Sequence, residues 1–434
     1  MPVSGPALPA PSDAAARPAP YESVRDTAAL VRNTMAIVLA GGRGTRLANL
    51  TDTRAKPAVS FGGAYRMIDF ALSNCVNSGI RRVGVCTQYK AQSLIAHIQH
   101  AWSFLDRRIG EFIELMPAQQ RVDSNWYRGT ADAVFQNIDL LTREHPDYTL
   151  ILAGDHVYRM DYRRMLADHA ASDADVTVGC VEVPLREASA FGVLEVDAGD
   201  RVIRFDEKPE QPRPLPGAPG RALASMGIYA FDTEVLTREL RRDARAPGSN
   251  HDFGMDLIPH MVRAGARVRA HPLARSAVGA DRLQPYWRDV GTVDAFWRAN
   301  LELTREEPAL DLHDPDWPIL SAFRHMAPVR FVFQEGRCGQ AINSLIAGGC
   351  VVRGATVRCS VLSSNVQVDA HSVVEDSVVL PNVQIGAHAV IKRAVIDKNC
   401  RLPPHFVAGV DAEQDRRRFH VTPGGVTLVT PSML

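Results

Sequence analysis

Residues 36–57 have the sequence AIVLAGGRGTRLANLTDTRAKP, and this stretch indicates the fold more strongly than any other part of the chain. The apolar run at 36–40 has the length and composition of a buried strand. Gly41, Gly42 and Gly44 follow it directly. A strand that ends in a glycine turn lets backbone N–H groups approach an anion, because no Cβ blocks them. The stretch therefore predicts a phosphate-binding turn at the end of a sheet strand.

Three cationic side chains, Arg43, Arg46 and Lys56, accompany the glycines. Glycine-rich turns after strands are common, but the added guanidinium and ammonium groups favour phosphate as the ligand. The spacing lacks the G-K-[ST] ending of a P-loop and the third glycine of the dinucleotide-binding fingerprint. A P-loop NTPase and a Rossmann dehydrogenase are therefore excluded.

Beyond this turn, strand-like and helix-like segments alternate along the first 300 residues. Such alternation predicts an α/β domain with a mostly parallel sheet wrapped by helices, in which ligands bind beyond the carboxyl ends of the strands. The expected strands are residues 35–40, 82–87, 149–153, 175–181 and 201–205. The expected helices are residues 67–79, 91–104, 130–143 and 161–171.

The last hundred residues repeat with a period of 17, from starting points at 359, 376 and 393. The period brings two sets of residues into register: Asn365, Asn382 and Asn399, and His371, His388 and His405. A short repeat with β-branched residues at near-hexapeptide spacing predicts a β-solenoid with three strands per coil and about four coils. One histidine per coil without a carboxylate or cysteine companion is a poor metal or acyltransfer site, so we expect a solvent-exposed turn ladder.

Composition sets the remaining bounds. The 434 residues carry a formal net charge of zero, so the overall charge does not indicate binding to nucleic acid or to an anionic membrane surface. Seven cysteines without a C-x-x-C pattern favour reduced thiols and a cytoplasmic location. The expected division is a disordered Ala/Pro-rich leader at 1–34, a catalytic domain at 35–302, a proline-containing connection at 303–330 and a β-helix domain at 331–434.

Two aspartates follow strand-like segments and are candidate metal ligands: Asp155 in ILAGDHVY and Asp289 in YWRDVGT. Paired carboxylates beside a phosphate turn can share one Mg²⁺, although a lone Asp is more often a cap or turn residue. Lys208 precedes a proline and is expected to be extended, where it either binds a small anion or pairs with Glu207 on the surface. Residues 126–133, WYRGTADA, form either a base- or sugar-binding glycine turn or a plain helix start.

Taken together and in order, the motifs resemble those of the bacterial ADP-glucose pyrophosphorylases (glucose-1-phosphate adenylyltransferases). They are LAGGRGTRL, RAKPAV, RMIDFALSN, TQY, PAQQ, WYRGTADAV, ILAGDHVY, SAFGV, EKP, LASMGIY, HDFGMDLIP, YWRDVGT and NSLIAGGC. The resemblance covers roughly residues 35–431. It implies a GT-A/Rossmann-like nucleotidyltransferase domain, a left-handed parallel β-helix and a homotetramer.

The resemblance also implies a reaction: ATP and α-D-glucose 1-phosphate give ADP-glucose and pyrophosphate with Mg²⁺, the committed step of bacterial glycogen synthesis. It assigns catalysis to Arg46, Lys56 and Asp155, and metal binding to Asp155 and Asp289. The implied nucleotide-binding residues are Gly41, Gly42, Gly44, Arg46 and Lys56. The implied glucose 1-phosphate residues are Tyr127, Gly192, Glu207, Lys208 and Ser225.

Regulation is where the sequence departs from the family. Enterobacterial members have a lysine and a histidine for fructose 1,6-bisphosphate where this chain has Thr53 and Ser60. We therefore expect a different anionic activator, a sugar phosphate or a keto acid, and a nucleotide inhibitor. The residues expected to bind an effector in a cleft between the domains are Arg54, Arg66 and Arg143, and those expected to relay the signal are Gln88 and Trp126.

Three other interpretations remain open from the sequence. The first is a sugar-1-phosphate nucleotidyltransferase that uses UTP, dTTP or GTP. The second is a bifunctional enzyme with an acyltransferase solenoid, for which about four coils are too few. The third is a noncatalytic regulatory subunit of the same fold. The presence of Arg46, Lys56, Asp155 and Asp289 favours an enzyme over that subunit.

Overall fold

The computed structural model describes residues 24–42, 44–119, 126–279, 285–322 and 325–434. Arg43 of the predicted phosphate turn and most of the expected leader lie outside these residues. The helices are α1 Val24–Arg32, α2 Met67–Asn77, α3 Gln92–Ala101, α4 Thr130–Phe135, α5 Ile138–Glu144, α6 Tyr162–Ala171, α7 Thr233–Asp243, α8 Ile258–Arg263, α9 Val293–Glu302 and α10 Ala412–Arg416. Within the described ranges, no helix is both long and apolar enough to cross a membrane.

A nine-stranded sheet forms the centre of the N-terminal part. The strands of this part are β1 Thr34–Leu39, β2 Ser60–Phe61, β3 Tyr65–Arg66, β4 Arg82–Thr87, β5 Phe112–Pro117, β6 Tyr148–Ala153, β7 Val157–Tyr158, β8 Val176–Pro184, β9 Gly192–Val196, β10 Val202–Glu207, β11 Arg221–Asp232, β12 Val268–Pro272 and β13 Trp287–Arg288. In the order β5-β4-β1-β6 neighbouring strands are parallel, and β11 then runs antiparallel to β6. β11 also pairs antiparallel with β8 and β9.

The central strand β1 is buried on both faces of the sheet. Met35 and Ile37 point into one apolar cluster, while Ala36 and Val38 point into the other. Because side chains alternate along a strand, an unbroken apolar run is what a strand covered by helices on both sides requires. This is why residues 36–40 could be recognised from sequence, and it places the following glycines at the carboxyl edge of the sheet.

The C-terminal part is a three-faced parallel solenoid. One face contains β14 Arg330–Gln334, β18 Val351–Arg353, β21 Gln367–Val368, β24 Gln384–Ile385 and β27 Arg401–Leu402. The second contains β16 Gln340–Ile342, β19 Thr356–Arg358, β22 Val373–Glu375, β25 Val390–Lys392 and β28 Val407–Ala408. The third contains β17 Leu345–Ile346, β20 Val361–Leu362, β23 Val378–Val379, β26 Ala394–Ile396 and β30 Thr427–Val429. Two short strands, β15 Arg337–Cys338 and β29 His420–Val421, add antiparallel pairs at the ends.

The fold class is confirmed, with several differences in detail. Each solenoid face has five parallel strands rather than four, because the first coil lacks the clear 17-residue pattern. The helix expected at 130–143 is two helices, α4 and α5. The antiparallel strand β11 was not predicted, and α1 falls inside the stretch expected to be disordered. α1 and β1 follow each other closely, with the Thr34 hydroxyl donating to the Leu30 carbonyl.

The two residue ladders of the solenoid lie at its turns. The histidine rings of His371, His388 and His405 stack with centroids 4.8 and 4.9 Å apart. All three have φ near +62°, in the left-handed region typical of tight turns. The expectation that no carboxylate accompanies them is wrong, because Glu335 Oε2 lies 3.1 Å from His371 Nε2. Nearly parallel rings 4.8 Å apart do not converge on one point, which agrees with a structural ladder.

Candidate active site

A cavity of about 480 Å³ opens at the carboxyl ends of β1 and β6. This is the size of a small-molecule site. It brings together residues that are far apart in the sequence. Each of them was predicted to bind a substrate or a metal ion, or to relay an activation signal. They are Gly41, Gly42, Arg46, Gln88, Tyr127, Asp155, Gly192, Glu207, Lys208, Ser225 and Asp289.

The glycine turn forms one wall of this cavity. Among the described residues, nothing lies within 4 Å of the position a Cβ on Gly42 would take, so the backbone there faces open space. Gly44 has φ +65°, and a Cβ at this position would lie 3.0 Å from Lys56 Cβ. The left-handed turn and this close approach both require glycine. The turn therefore keeps its backbone open to a ligand and packs directly against Lys56.

Lys56 is not among the residues that line the cavity, but it is buried against the two predicted metal carboxylates, which do line it. Its side chain is only 5% exposed, and its Nζ lies 2.9 Å from Asp155 Oδ2 and 3.0 Å from Asp289 Oδ1. Nζ also donates to the Asp289 carbonyl at 2.9 Å. Burial alone would lower the pKa of Lys56, but the charges of Asp155 and Asp289 raise it above the usual value. Lys56 is therefore a fixed positive charge.

The two carboxylates stay ionised for the same reason. Burial would raise the pKa of each, yet contact with His156 and the charge of Lys56 hold the pKa of Asp289 far below its usual value. Lys56 and His156 lower the pKa of Asp155 in the same way. Arg46 adds a more exposed cation, with its guanidinium 3.6 Å from Asp289 Oδ2. The floor thus alternates positive and negative groups over a few ångströms.

Three of these groups could hold a metal ion. Asp155, His156 and Asp289 each offer one ligand atom, and these atoms lie within 4.8 Å of one another. Two carboxylate oxygens and an imidazole nitrogen suit a divalent cation. His156 was not among the predicted site residues. Its position directly after Asp155 in GDHVY was the available signal, but a neighbour in sequence often points away from a site.

The opposite wall contains the residues predicted for the sugar phosphate. A Cβ on Gly192 would lie 2.5 Å from Phe205 Cζ and 2.8 Å from Glu207 Oε2, so a larger residue would displace one of these side chains. Lys208 Nζ lies 3.0 Å from Glu207 Oε1, which is the surface pair weighed from the sequence, although both residues line the cavity. The expected extended conformation of Lys208 is wrong. Its φ is +47°, and its backbone N–H donates to the Phe191 carbonyl.

The segment 126–133 does form a glycine turn that opens a helix. A Cβ on Gly129 would lie 2.3 Å from the carbonyl oxygens of Asn250 and His251, which shows how tightly the turn packs on the HDFG motif. The Thr130 hydroxyl donates to Asp252 Oδ2 at 2.9 Å, and Asp252 lines the cavity. HDFG is one of the motifs on which the family resemblance rests, but no site residue was predicted in it, because its proximity to Gly129 arises only from the tertiary fold.

A second cleft, of about 600 Å³, separates the catalytic part from the solenoid. Arg54, Ser60 and Arg66 line it, as does Lys398 from the solenoid. The placement of Arg143 in this cleft was wrong. Arg143 lies on α5, where its guanidinium contacts Glu114 at 2.8 Å and Glu144 at 3.1 Å, and α5 packs at the far edge beside β5.

Of the two residues expected to relay a signal, Gln88 lines the cavity and Trp126 does not. Gln88 lines the cavity, and its side-chain amide donates to the Tyr127 carbonyl at 3.2 Å. Trp126, the neighbour of Tyr127, is 55% exposed and does not line the cavity. The Tyr127 hydroxyl donates to the Met116 carbonyl at 3.1 Å, so its ring is held in the wall.

Comparison with known proteins agrees with this geometry. The family model described as nucleotidyl transferase matches residues 35–306, and the model described as GlmU-like, C-terminal hexapeptide, matches residues 327–429. Fold and site together therefore define a nucleotidyl transferase that carries a C-terminal hexapeptide-repeat solenoid. Such transferases generally use divalent metal ions, which fits the three-residue cluster at the floor.

Similar proteins show which family of nucleotidyl transferases the chain belongs to. A glucose-1-phosphate adenylyltransferase of Nitrosospira multiformis is 58% identical over 412 residues, which are 95% of this chain and 97% of the relative. Proteins of the same name from Dechloromonas aromatica and Nitrosomonas europaea are 57% and 56% identical, covering 93% and 95% of this chain and 92% and 96% of their own lengths. The chain belongs to the glucose-1-phosphate adenylyltransferase family.

Proposed function

We propose that the protein transfers AMP from ATP to α-D-glucose 1-phosphate, producing ADP-glucose and pyrophosphate. The observation that carries this proposal is the cluster in which Lys56 holds Asp155 and Asp289 together at the floor of the cavity. A fixed cation beside two ionised carboxylates is suited to a polyphosphate and its metal ion. The names of the relatives supply the identity of the sugar and the nucleotide.

The chain's own residues act by positioning and charge. The glycine turn at 41–44 leaves space for the ATP phosphates, and Arg46 and Lys56 stabilise the pyrophosphate side. Lys208 holds the phosphate of glucose 1-phosphate, whose oxygen attacks the α-phosphorus in line while the bond to pyrophosphate breaks. When bound to Asp155 and Asp289, the metal ion, which we propose is Mg²⁺, neutralises charge on the reacting oxygens.

A kinetic panel tests the reaction. Pyrophosphate release is measured with ATP, UTP, dTTP and GTP against glucose 1-phosphate and other sugar 1-phosphates. We expect turnover with ATP and glucose 1-phosphate, and a loss of about 10²-fold or more in kcat for Asp155→Asn. Preference for another nucleotide would assign the chain to a different transferase. Absence of turnover with every pair would indicate a regulatory subunit.

We also propose that the cleft between the domains binds an anionic effector. Arg54, Arg66 and Lys398 place three cationic side chains around it. Burial lowers the pKa of Lys398, and the charge of Arg54 lowers it further, so an anion bound between them would relieve repulsion. Activity measured against fructose 6-phosphate, pyruvate and fructose 1,6-bisphosphate, and against AMP as an inhibitor, identifies the effector; equal activity under all conditions would contradict this proposal.

The remaining proposals concern assembly and setting. We propose that the protein is a homotetramer. Each chain has a catalytic domain at 35–302, a connection at 303–330 and a solenoid at 331–434. The enzyme makes ADP-glucose for glycogen synthesis in the cytoplasm. The exposed rings of Phe331 and Phe333 on the first solenoid coil favour self-association. Light scattering of the purified chain should give four times its mass of 47.5 kDa, and a monomer would contradict the assembly.

A further inference from the structure

His156 faces the two carboxylates at the floor of the active site. Its Nε2 lies 3.4 Å from Asp289 Oδ1 and 3.7 Å from Asp155 Oδ1, and its side chain is 14% exposed. Lys56 contacts the other oxygen of Asp155, Oδ2. On Asp289, Lys56 contacts Oδ1, the same oxygen that faces His156, so only Asp155 presents a separate oxygen to the imidazole.

The other ring nitrogen shows which atom of His156 is available to a ligand. Nδ1 lies 3.1 Å from the backbone carbonyl of Met226. A carbonyl oxygen only accepts, so Nδ1 carries the hydrogen, and in the neutral imidazole Nε2 then presents its lone pair. A histidine that donates its second N–H to a carbonyl is the usual arrangement for a metal ligand, because that bond fixes tautomer and ring orientation.

The ring is also held from the side. It meets the Trp287 ring at 5.1 Å with an interplanar angle of 82°. Trp287 lies on β13 and pairs in register with Tyr158 on β7, two residues after His156. The paired strands that place Asp289 just after β13 and Asp155 just before β7 therefore also position the imidazole. A side chain free to leave the site would lack these contacts.

The distances leave room for a small cation. Metal–ligand bonds of about 2.1 Å place neighbouring ligand atoms of an octahedron about 3.0 Å apart. The separations of 3.4 and 3.7 Å exceed this by less than about 1 Å, a movement that side-chain rotation provides. A divalent cation between Nε2 and the two carboxylates would be attracted by both negative charges.

We propose that His156 Nε2 is a third protein ligand of the divalent cation, beside Asp155 and Asp289. This inference rests on the proposed function and adds a nitrogen to an otherwise all-oxygen site. Nitrogen ligands favour Mn²⁺ and Co²⁺ over Mg²⁺ more than carboxylates do. The site should therefore bind Mn²⁺ more tightly than Mg²⁺, and His156 should carry much of that difference.

Pulsed electron paramagnetic resonance of Mn²⁺ tests the ligand directly. The nucleotide-free full-length protein is loaded with Mn²⁺, once with natural histidine and once with ¹⁵N-labelled histidine. We expect a nitrogen coupling that changes from ¹⁴N to ¹⁵N with the label, and that disappears in His156→Gln. His100→Gln, an exposed position on α3, is the matched control and should keep the coupling. We also expect Mn²⁺ affinity to fall about tenfold or more in His156→Gln, and Mg²⁺ affinity to fall less.

The outcomes separate this inference from the proposed function. If Asp155→Asn weakens Mn²⁺ binding but the wild type shows no histidine coupling, His156 is not a ligand. The proposed reaction would be unaffected by that result. Absence of Mn²⁺ binding at the aspartates would overturn the metal centre itself. The labelled wild-type spectrum needs no variant, so an unfolded His156→Gln protein would not prevent a decision.

Discussion

At the scale of single residues, Lys56 is the group on which the site depends most. It is the partner of two carboxylates whose pKa burial would otherwise raise, and it packs against the glycine turn. Removing its charge therefore changes the electrostatics of the site as well as its contact with phosphate. A buried charge that loses its partner is costly, which makes the consequence measurable in stability as well as in rate.

Lys56→Met should reduce kcat by about 10²- to 10³-fold, because a preorganised cation is lost from the phosphate site. It should also leave Asp155 and Asp289 uncompensated. Divalent cations are then expected to raise the melting temperature of the variant more than that of the wild type. Thermal unfolding with and without Mg²⁺ measures this, and Lys392→Met, at an exposed lysine paired with Glu375, is the control. An equal Mg²⁺ effect in the wild type and Lys56→Met would contradict the bridging role.

His169 gives a second prediction at this scale. Burial lowers its pKa to about 4, its Nδ1 lies 2.8 Å from the Thr177 hydroxyl, and its ring packs edge-on against Tyr148. The unfolded chain, with a pKa near 6.5, binds more protons than the folded protein between pH 4 and 6.5, so stability falls as pH falls through this window. The expected loss at pH 5.5 is about 1.2 kcal/mol relative to pH 7.

His169→Asn keeps a hydrogen-bond donor near Thr177 and does not titrate. As pH falls from 7.5 to 5.5, the melting temperature of the wild type should therefore fall more than that of this variant. His145→Asn, at a histidine in the turn after α5, should leave the slope unchanged. A parallel pH dependence for the wild type and His169→Asn would show that folding does not change proton binding by His169, which would contradict the lowered pKa.

Site residues could be predicted from the sequence where the signal is local, and were missed where it depends on contacts between distant segments. Gly41, Gly44, Asp155 and Lys56 could be predicted because strand ends, glycines and charges are local signals. The role of His156 could not, because the Met226 carbonyl that orients it is 70 residues away. The left-handed Lys208 was missed for the same kind of reason, since its N–H bonds to a carbonyl on a neighbouring segment.

At the scale of secondary structure, the start of α4 is a docking point between two motifs. The N–H of Ala131 donates to the His251 carbonyl at 2.8 Å, so the HDFG segment satisfies a backbone donor that a helix start leaves open. Gly129 allows this approach. Because Tyr127 and Asp252 belong to the two segments joined here, the shape of the cavity wall that we propose binds the sugar depends on the contact.

Gly129→Ala should therefore damage the site more than the fold. The added Cβ would lie 2.3 Å from two carbonyl oxygens, and backbone cannot move aside as a flexible side chain can. We expect kcat/KM for glucose 1-phosphate to fall about tenfold or more as the turn shifts. Gly220→Ala, where a Cβ meets nothing within 4 Å among the described residues, is the control. Unchanged kinetics in Gly129→Ala would show that the turn does not shape the sugar site.

Elements with a repeating pattern were the easiest to predict. Strand β4, Arg82–Thr87, has the bounds expected from its apolar run, and the 17-residue repeat located the solenoid. The long strand β11 was missed although it joins the two halves of the sheet. Its partners β6 and β8 are remote in sequence, and its small residues form no clear alternation. The break between α4 and α5 likewise depends on tertiary packing.

At the scale of the whole molecule, the solenoid is tied to the catalytic part close to Lys56. Arg54 and Asp397 form an ion pair of 2.5 Å with side chains 3% and 6% exposed. Within the part of the chain that the structure describes, Arg54 Nε has no hydrogen-bond partner, so Asp397 is its principal anion. The Trp297 indole donates to the Asp376 carbonyl at 2.7 Å and adds a second link. Arg54 precedes Lys56 by two residues, so one short segment contacts both the solenoid and the metal carboxylates.

Asp397→Asn should therefore affect stability and turnover together. It keeps the size of the side chain but leaves a buried guanidinium without its counterion, which costs about 3–5 kcal/mol. We expect a lower melting temperature and a severalfold lower kcat, because residues 54–56 lose their anchor. Asp369→Asn is the matched control, since Asp369 pairs with Arg353 at 3.1 Å within the solenoid and is exposed.

The double variant Arg54→Met/Asp397→Leu should recover the melting temperature, since an apolar pair can replace a buried ion pair. If it recovers stability but no longer responds to an effector, the pair transmits the signal; if Asp397→Asn behaves like Asp369→Asn, the ion pair does not couple the two parts.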